Sequence, residues 1–141
     1  MSRPIYTAVA TVSGGRQHGL GRSADGELDV QARAPIEGGG TNPEQLFAVG
    51  YAACFEQAVR TIGRRERAEL GDVSIDSRVS LIPRDDRTFR LGVELHVTLA
   101  QVESLEDAKR YVAKEHRICP YSNATRGNIG VTLTANGETA G

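Results

Sequence analysis

A chain of 141 residues with 39% apolar and 25% charged side chains has the size and composition of one ordinary globular domain, large enough to bury a core without a covalent staple. Its 17 Lys and Arg against 18 Asp and Glu leave a formal net charge of -1, so no basic excess points to nucleic acid or to a membrane surface. No apolar stretch approaches the ~20 residues of a membrane span, and Met1-Ser2-Arg3-Pro4-Ile5-Tyr6 lacks the apolar run of a signal peptide, so a cytoplasmic protein is expected.

Ile5 to Val12 alternate and carry β-formers, Ser13-Gly14-Gly15 offers a tight turn, and Asp25-Gly26 offers a second before Glu27 to Arg33. The N-terminal third is therefore expected to be a three-stranded meander. Gly38-Gly39-Gly40 breaks that pattern and leads into Thr41-Asn42-Pro43-Glu44, where a capping side chain, a proline suited to the first turn and a carboxylate mark a helix start. Leu46, Phe47, Val49, Ala53, Cys54, Ala58, Val59 and Ile62 supply the helical apolar pattern. Gly50, Ala52 and Ala53 keep its surface thin, which invites close packing against another element or another subunit. Arg60, Arg64, Arg65 and Arg67 suit a helix C-terminus, and Glu66, Glu69 and Asp72 beside them make a solvated end, not a nucleic-acid patch.

Two long strands follow. Val73, Ile75, Val79 and Leu81 alternate with polar residues, Pro83 to Arg87 reads as the turn, and Leu91, Val93, Leu95, Val97 and Leu99 alternate without a break. A shorter amphipathic helix fits Leu105 to His116, a turn-like segment begins at Cys119, and Gly130 to Thr134 makes a last strand. With no repeat, low-complexity tract or linker, residues 1–141 are expected to form a single domain. The expected class is α+β, a largely antiparallel sheet wrapping a long central helix. One side of that helix has little in this chain to cover it, so an intertwined homodimer is expected.

The chemically informative residues are the two cysteines. Cys54, in Ala52-Ala53-Cys54-Phe55, reads as a core position on the helix; Cys119 opens Cys119-Pro120-Tyr121-Ser122-Asn123-Ala124-Thr125-Arg126-Gly127-Asn128 and reads as an accessible loop thiol. In a reducing compartment such a pair is more often catalytic, sensing or merely buried than a structural disulfide. A cysteine with the ordinary pKa of about 8.5 is only about 3% thiolate at pH 7, so a reactive one needs a cation, a helix N-terminus or a metal. Cys54 lies ten residues beyond Glu44. At ~1.5 Å per residue this is about 15 Å along the helix, past the first turn to which the dipole is confined. An arginine delivered from elsewhere could supply the charge, and Arg16, just after Gly14-Gly15, is placed to reach a neighbouring pocket. Of the three histidines, His116 is three residues from Cys119, His96 falls on the polar face of its strand and His18 lies in a hairpin, so no compact four-ligand signature appears and a metal-free thiol site is favoured over zinc. Taken singly, Cys54 is an inert core residue, Glu44 a first-turn carboxylate serving the helix dipole, Arg16 an exposed strand residue and Cys119-Pro120 a turn.

Two long stretches change that weighting. Thr41-Asn42-Pro43-Glu44-Gln45-Leu46-Phe47-Ala48 with Gly50-Tyr51 and Ala53-Cys54-Phe55, and Cys119 through Ile129, resemble the organic hydroperoxide resistance branch of the OsmC/Ohr superfamily, and the element order matches from Ile5 to Leu133. The resemblance implies a cysteine-based peroxidase without metal or other cofactor, acting on organic and lipid hydroperoxides in preference to hydrogen peroxide. Carried over, Cys54 matches the peroxidatic cysteine, Cys119 the resolving cysteine, Arg16 the active-site arginine and Glu44 the carboxylate that orients it. The implied electron donor is a lipoyl group on a partner protein. One departure is visible: where the family has a short acidic residue and glycine after the arginine, this chain reads Gln17-His18-Gly19, and a loop that carries Arg16 in and out of the site with redox state is a corresponding hypothesis. A competing function on the same scaffold is a non-catalytic redox sensor or apolar-ligand-binding protein. No nucleic-acid or membrane partner is expected.

Overall fold

In the computed structural model, which describes residues 2–141, the N-terminal meander consists of β1 (Ala10–Ser13), β2 (Leu20–Ser23) and β3 (Asp29–Gln31), antiparallel in that order. Regular pairing starts at Ala10, so the strand expected from Ile5 is shorter. The connection after Ser13 is also not a tight hairpin turn: Gly15–His18 form a single helical turn, α1. Gly14 and Gly15 enter it at φ 86° and 74°, the left-handed region that glycine adopts without a Cβ penalty. Arg16 is thereby carried on a helical turn and not on a strand. This meander, with the chain up to Leu46, forms one compact unit, and Phe47 to Gly141 form a second.

The long helix α2 spans Pro43–Glu66. Its start follows the expected chemistry, with Pro43 at the first helical position and the Asn42 side-chain oxygen accepting from the Gln45 N–H at 2.9 Å. Arg64 and Arg65 occupy its last turn, and Arg67, in the left-handed region at φ 53°, lets the Ala68 N–H close back onto the Gly63 carbonyl at 2.9 Å.

The second unit holds a sheet of order β4-β5-β6-β7, made of β4 (Val73–Pro83), β5 (Phe89–Leu99), β6 (Val131–Ala135) and β7 (Glu138–Thr139). The two long strands pair antiparallel along their full length, from Val73 opposite Leu99 to Pro83 opposite Phe89. β5 and β6 are parallel, because the chain crosses through α3 (Leu105–Ile118) and α4 (Pro120–Thr125) before it returns. The short β7, outside the expected elements, pairs antiparallel with β6. Tyr51, Phe55, Val59 and Ile62 of α2 share one buried cluster with Val93, Leu95, Val97 and Leu99 of β5, Ala108 and Val112 of α3, and Leu133 and Ala135 of β6. At ~25 cal/mol per Å2 of apolar surface removed from water, this cluster is the main source of the second unit's stability. The opposite face of α2 stays bare: Ala53 is exposed and Val49 is 70% exposed.

One member of that interior breaks the apolar pattern. Glu115 of α3 is 0% exposed, and neither carboxyl oxygen has a hydrogen-bond partner among the described residues. Burial, followed by the influence of Cys119, pushes its pKa from an ordinary 4.5 to about 9, so the group is a neutral acid at pH 7. Since the folded value lies above the unfolded one, this stability contribution is full below about 4.5 and is lost as pH rises towards 9. At pH 7 the loss is roughly 3 kcal/mol. Thermal unfolding of wild type and Glu115→Gln across pH 5 to 9 is therefore expected to show a difference that grows in favour of the variant as pH rises; a difference independent of pH would contradict the assignment.

Candidate functional site

Cys54 lies in the fourth turn of α2 and Cys119 at the junction of α3 and α4. Sixty-five residues apart in sequence, they are free thiols whose sulfurs approach to 3.4 Å. Their surroundings invert the expectation. Cys119 is 0% exposed, a packed thiol and not an accessible loop thiol, whereas Cys54 is half-buried.

The inversion has a local cause. Cys119 caps two helices at once: its N–H donates to the Glu115 carbonyl at 2.9 Å, and its carbonyl accepts from the Asn123 N–H at 3.0 Å. The turn-forming residues after it fold into α4, and their polar groups point into a buried network. Ser122 Oγ lies 2.8 Å from the Tyr51 hydroxyl and 2.8 Å from His116 Nδ1, and Thr125 Oγ1 is 3.2 Å from the same tyrosine. Tyr51 sits one turn before Cys54 on α2, so the network ties the Cys119 segment to the helix that carries Cys54. Tyr121 packs its ring 5.8 Å from that of Phe47 and 5.6 Å from that of Tyr51. Gly50 leaves room for it, since a Cβ there would lie 3.2 Å from the Tyr121 hydroxyl. Arg126 donates to Asn123 Oδ1 at 2.8 Å and to the His116 carbonyl, holding the far end. Ser122 and Thr125 are the residues whose importance sequence reasoning missed; only their burial separates them from ordinary capping residues.

Burial pushes the Cys54 thiol pKa up, the Tyr121 backbone N–H opposes that shift, and the Cys119 thiol adds to it. Within the second unit, then, burial favours the neutral form of Cys54, and its activation needs a further group that favours the thiolate, such as a cation. His116 is pushed down by burial and by Arg126, and its Nδ1 is engaged by Ser122.

In the first unit, Arg16 on α1 and Glu44 in the first turn of α2 form a close ion pair. A single nitrogen, Nη2, donates to both carboxylate oxygens, at 2.7 and 2.6 Å. The hydrogen bond from Arg16 holds Glu44 below its usual range, and Glu44 in turn raises Arg16, so both are charged at neutral pH. Nε and Nη1 of Arg16 have no partner among the described residues, and its side chain is 47% exposed. The sequence-derived residues therefore fall into two pairs, Arg16 with Glu44 and Cys54 with Cys119.

A cavity of about 730 Å3 opens in the second unit, lined mainly by apolar groups that include Phe47, Leu81, Phe89, Tyr121 and Ile129, with Pro120, the neighbour of Cys119, at its wall and neither cysteine in its lining. Among the described residues no group of three or more His, Cys, Asp or Glu is arranged to hold a metal, and no helix is long and apolar enough to cross a membrane.

Residues 36–134 match the family model for OsmC-like proteins. The chain belongs to the OsmC family. Among curated OsmC-family relatives, the organic hydroperoxide resistance protein of Xanthomonas axonopodis pv. citri is 47% identical over 92% of this chain and 94% of its own length. OhrA of Bacillus subtilis, an organic hydroperoxide resistance protein, is 44% identical over 94% of this chain and 97% of its own. Solved OsmC-family structures agree in fold. An organic hydroperoxide resistance protein from Legionella pneumophila superposes with a TM-score of 0.88 at 45% identity, covering 94% of this chain and 98% of its own. OhrB of Bacillus subtilis gives 0.87 at 41% identity, covering 93% and 98%. The α+β architecture is thus that of the OsmC family, and these relatives place the chain in its organic hydroperoxide resistance branch.

The contrast in burial has a direct readout. In the folded, reduced protein, a thiol alkylating agent is expected to label Cys54 at least about tenfold faster than Cys119, and denaturation should abolish the difference. Equal labelling of both thiols in the folded state would contradict the burial of Cys119.

Proposed function

We propose that this protein is a cysteine-based, dithiol-dependent peroxidase that reduces organic hydroperoxides to alcohols and so protects against oxidative stress. The observation that carries the reading is the 3.4 Å approach of two free thiols, one half-exposed and one enclosed. The kinship with organic hydroperoxide resistance proteins supports the substrate class.

In this reading the Cys54 thiolate attacks the distal oxygen of the hydroperoxide; the O–O bond breaks, Cys54 becomes a sulfenic acid, and the alkoxide leaves as the alcohol after taking a proton. Arg16 is the cation that the raised thiol needs. Glu44 occupies one of its nitrogens and leaves Nε and Nη1 free to donate; the role assigned to them in this reading is to stabilise the thiolate and the developing alkoxide. Cys119 then attacks the Cys54 sulfur, water leaves, and a Cys54–Cys119 disulfide results. A dithiol restores both thiols by exchange. The donor in this reading is a lipoyl group on a partner protein, with no resident cofactor. Residues 1–141 act as one domain in the cytoplasm, and the working form is a homodimer. The bare apolar side chains Ile5, Tyr6, Val12 and Ile36 in the first unit and Val49 and Phe89 in the second support self-association.

The test is steady-state consumption of cumene hydroperoxide with dihydrolipoamide or glutathione as reductant. Sustained turnover with the dithiol alone is expected. Cys54→Ser should abolish it, Cys119→Ser should permit one oxidation without efficient recycling, and Arg16→Ala should lower kcat/KM by about 100-fold. The apolar cavity favours a second reading, a ligand-binding redox sensor. A single stoichiometric oxidation with no cycling would favour that reading and contradict the peroxidase. A solution mass of one chain would contradict the homodimer.

A further inference from the structure

Glu115 has no part in the steps above, yet it stands beside them. It lies one helical turn before Cys119, whose N–H donates to its carbonyl at 2.9 Å, and residues so spaced are neighbours on a helix. Both residues are 0% exposed, and both Glu115 oxygens lack a partner among the described residues. The other buried polar residues of the second unit, Ser122 and Thr125, are spent on Tyr51. A bare carboxylate in such a place is too costly to persist, so what the fold stores there is a neutral acid carrying a proton. Cys119 is the titratable group that acts on it, with Cys54 next in line at 3.4 Å from Cys119.

Opening the disulfide creates a need for that proton. An incoming thiolate reaches the half-exposed Cys54 sulfur, which makes enclosed Cys119 the leaving group. The electron pair of the broken S–S bond then sits on a sulfur shut away from solvent. His116, three residues earlier, does not relieve it: its Nδ1 is held by Ser122, and burial and Arg126 keep it neutral.

We propose that Glu115 is the internal acid that protonates the departing Cys119 thiolate when a dithiol opens the Cys54–Cys119 disulfide. This rests on the disulfide cycle proposed above. The first dithiol sulfur bonds to Cys54, the Cys54–Cys119 bond breaks, and the Glu115 proton moves to Cys119 Sγ. Glu115 regains a proton from solvent. The second dithiol sulfur, having lost its own proton to solvent, displaces Cys54 and closes the cyclic disulfide. Net, two electrons pass from dithiol to protein, and the two protons the dithiol releases to solvent balance the two taken up by Glu115 and Cys54.

The test separates this inference from the peroxidase itself. The disulfide is formed with diamide, which needs no peroxidase activity, and its reduction by dihydrolipoamide is followed by stopped flow in wild type and in Glu115→Gln, which keeps the shape and loses the acid. The variant is expected to be slower by at least about tenfold at neutral pH. After correction for the dithiol's own thiolate fraction, the wild-type rate should fall as Glu115 ionises near pH 9, a fall the variant lacks. Equal rates with the same pH profile would overturn the proposal. So would failure of diamide to join the two cysteines. Native protein supplies a second measurement that does not depend on how the variant folds: the infrared carbonyl band of a protonated carboxylic acid should be present at neutral pH in the disulfide form and shift on reduction, and its absence would overturn the proposal. Failure of the peroxidase reading would appear separately, as wild type that does not cycle on hydroperoxide yet reduces its disulfide in a Glu115-dependent way.

Discussion

Everything chemical about this fold depends on holding two sulfurs from distant parts of the chain at 3.4 Å without bonding them. Apolar packing brings α2, α3 and the four-stranded sheet together but is non-directional, and alone it would leave the thiol separation loose. The buried hydroxyl network adds direction. Ser122 reaches Tyr51 on one side and His116 on the other, so α4 is tied both to the helix that carries Cys54 and to the end of α3. Left unmade, such buried hydrogen bonds cost about 1–3 kcal/mol per orphaned group, which is why a network of this kind selects one arrangement over near alternatives.

The unequal burial of the thiols orders the proposed chemistry. A hydroperoxide meets half-exposed Cys54 first, and enclosed Cys119 meets only what Cys54 has become. Burial that protects Cys119 also raises the Cys54 thiol, so the same packing that sets the geometry opposes thiolate formation. In the proposed mechanism the Arg16 cation offsets this. Its pairing with Glu44 through one nitrogen leaves the rest of the guanidinium available, where a two-nitrogen fork would have used more of it.

Much of this was legible in the residues. The alternation from Val73 to Leu99 specified the long hairpin, and Asn42-Pro43-Glu44 specified the start of α2, because both signals are local and strong. The parallel β5–β6 pair and β7 were not, since they depend on a crossover through two helices. Cys119 was misread for a related reason. Pro120, Ser122 and Asn123 are turn formers when considered locally, but here they start a helix whose hydroxyl groups find partners on α2, and tertiary contacts bury the thiol that precedes them. Arg16 and Glu44 stood out through resemblance, and their ion pair is tighter than spacing could have shown. Glu115 gave no signal at all, because a glutamate in an amphipathic helix normally faces water.

The most direct test of the central claim is to add one equivalent of cumene hydroperoxide to fully reduced protein and map the cysteines by mass spectrometry of a non-reducing digest. The account predicts a single Cys54–Cys119 linked peptide and no free thiol. Recovery of Cys54 as sulfenic or sulfinic acid with Cys119 still free would contradict it.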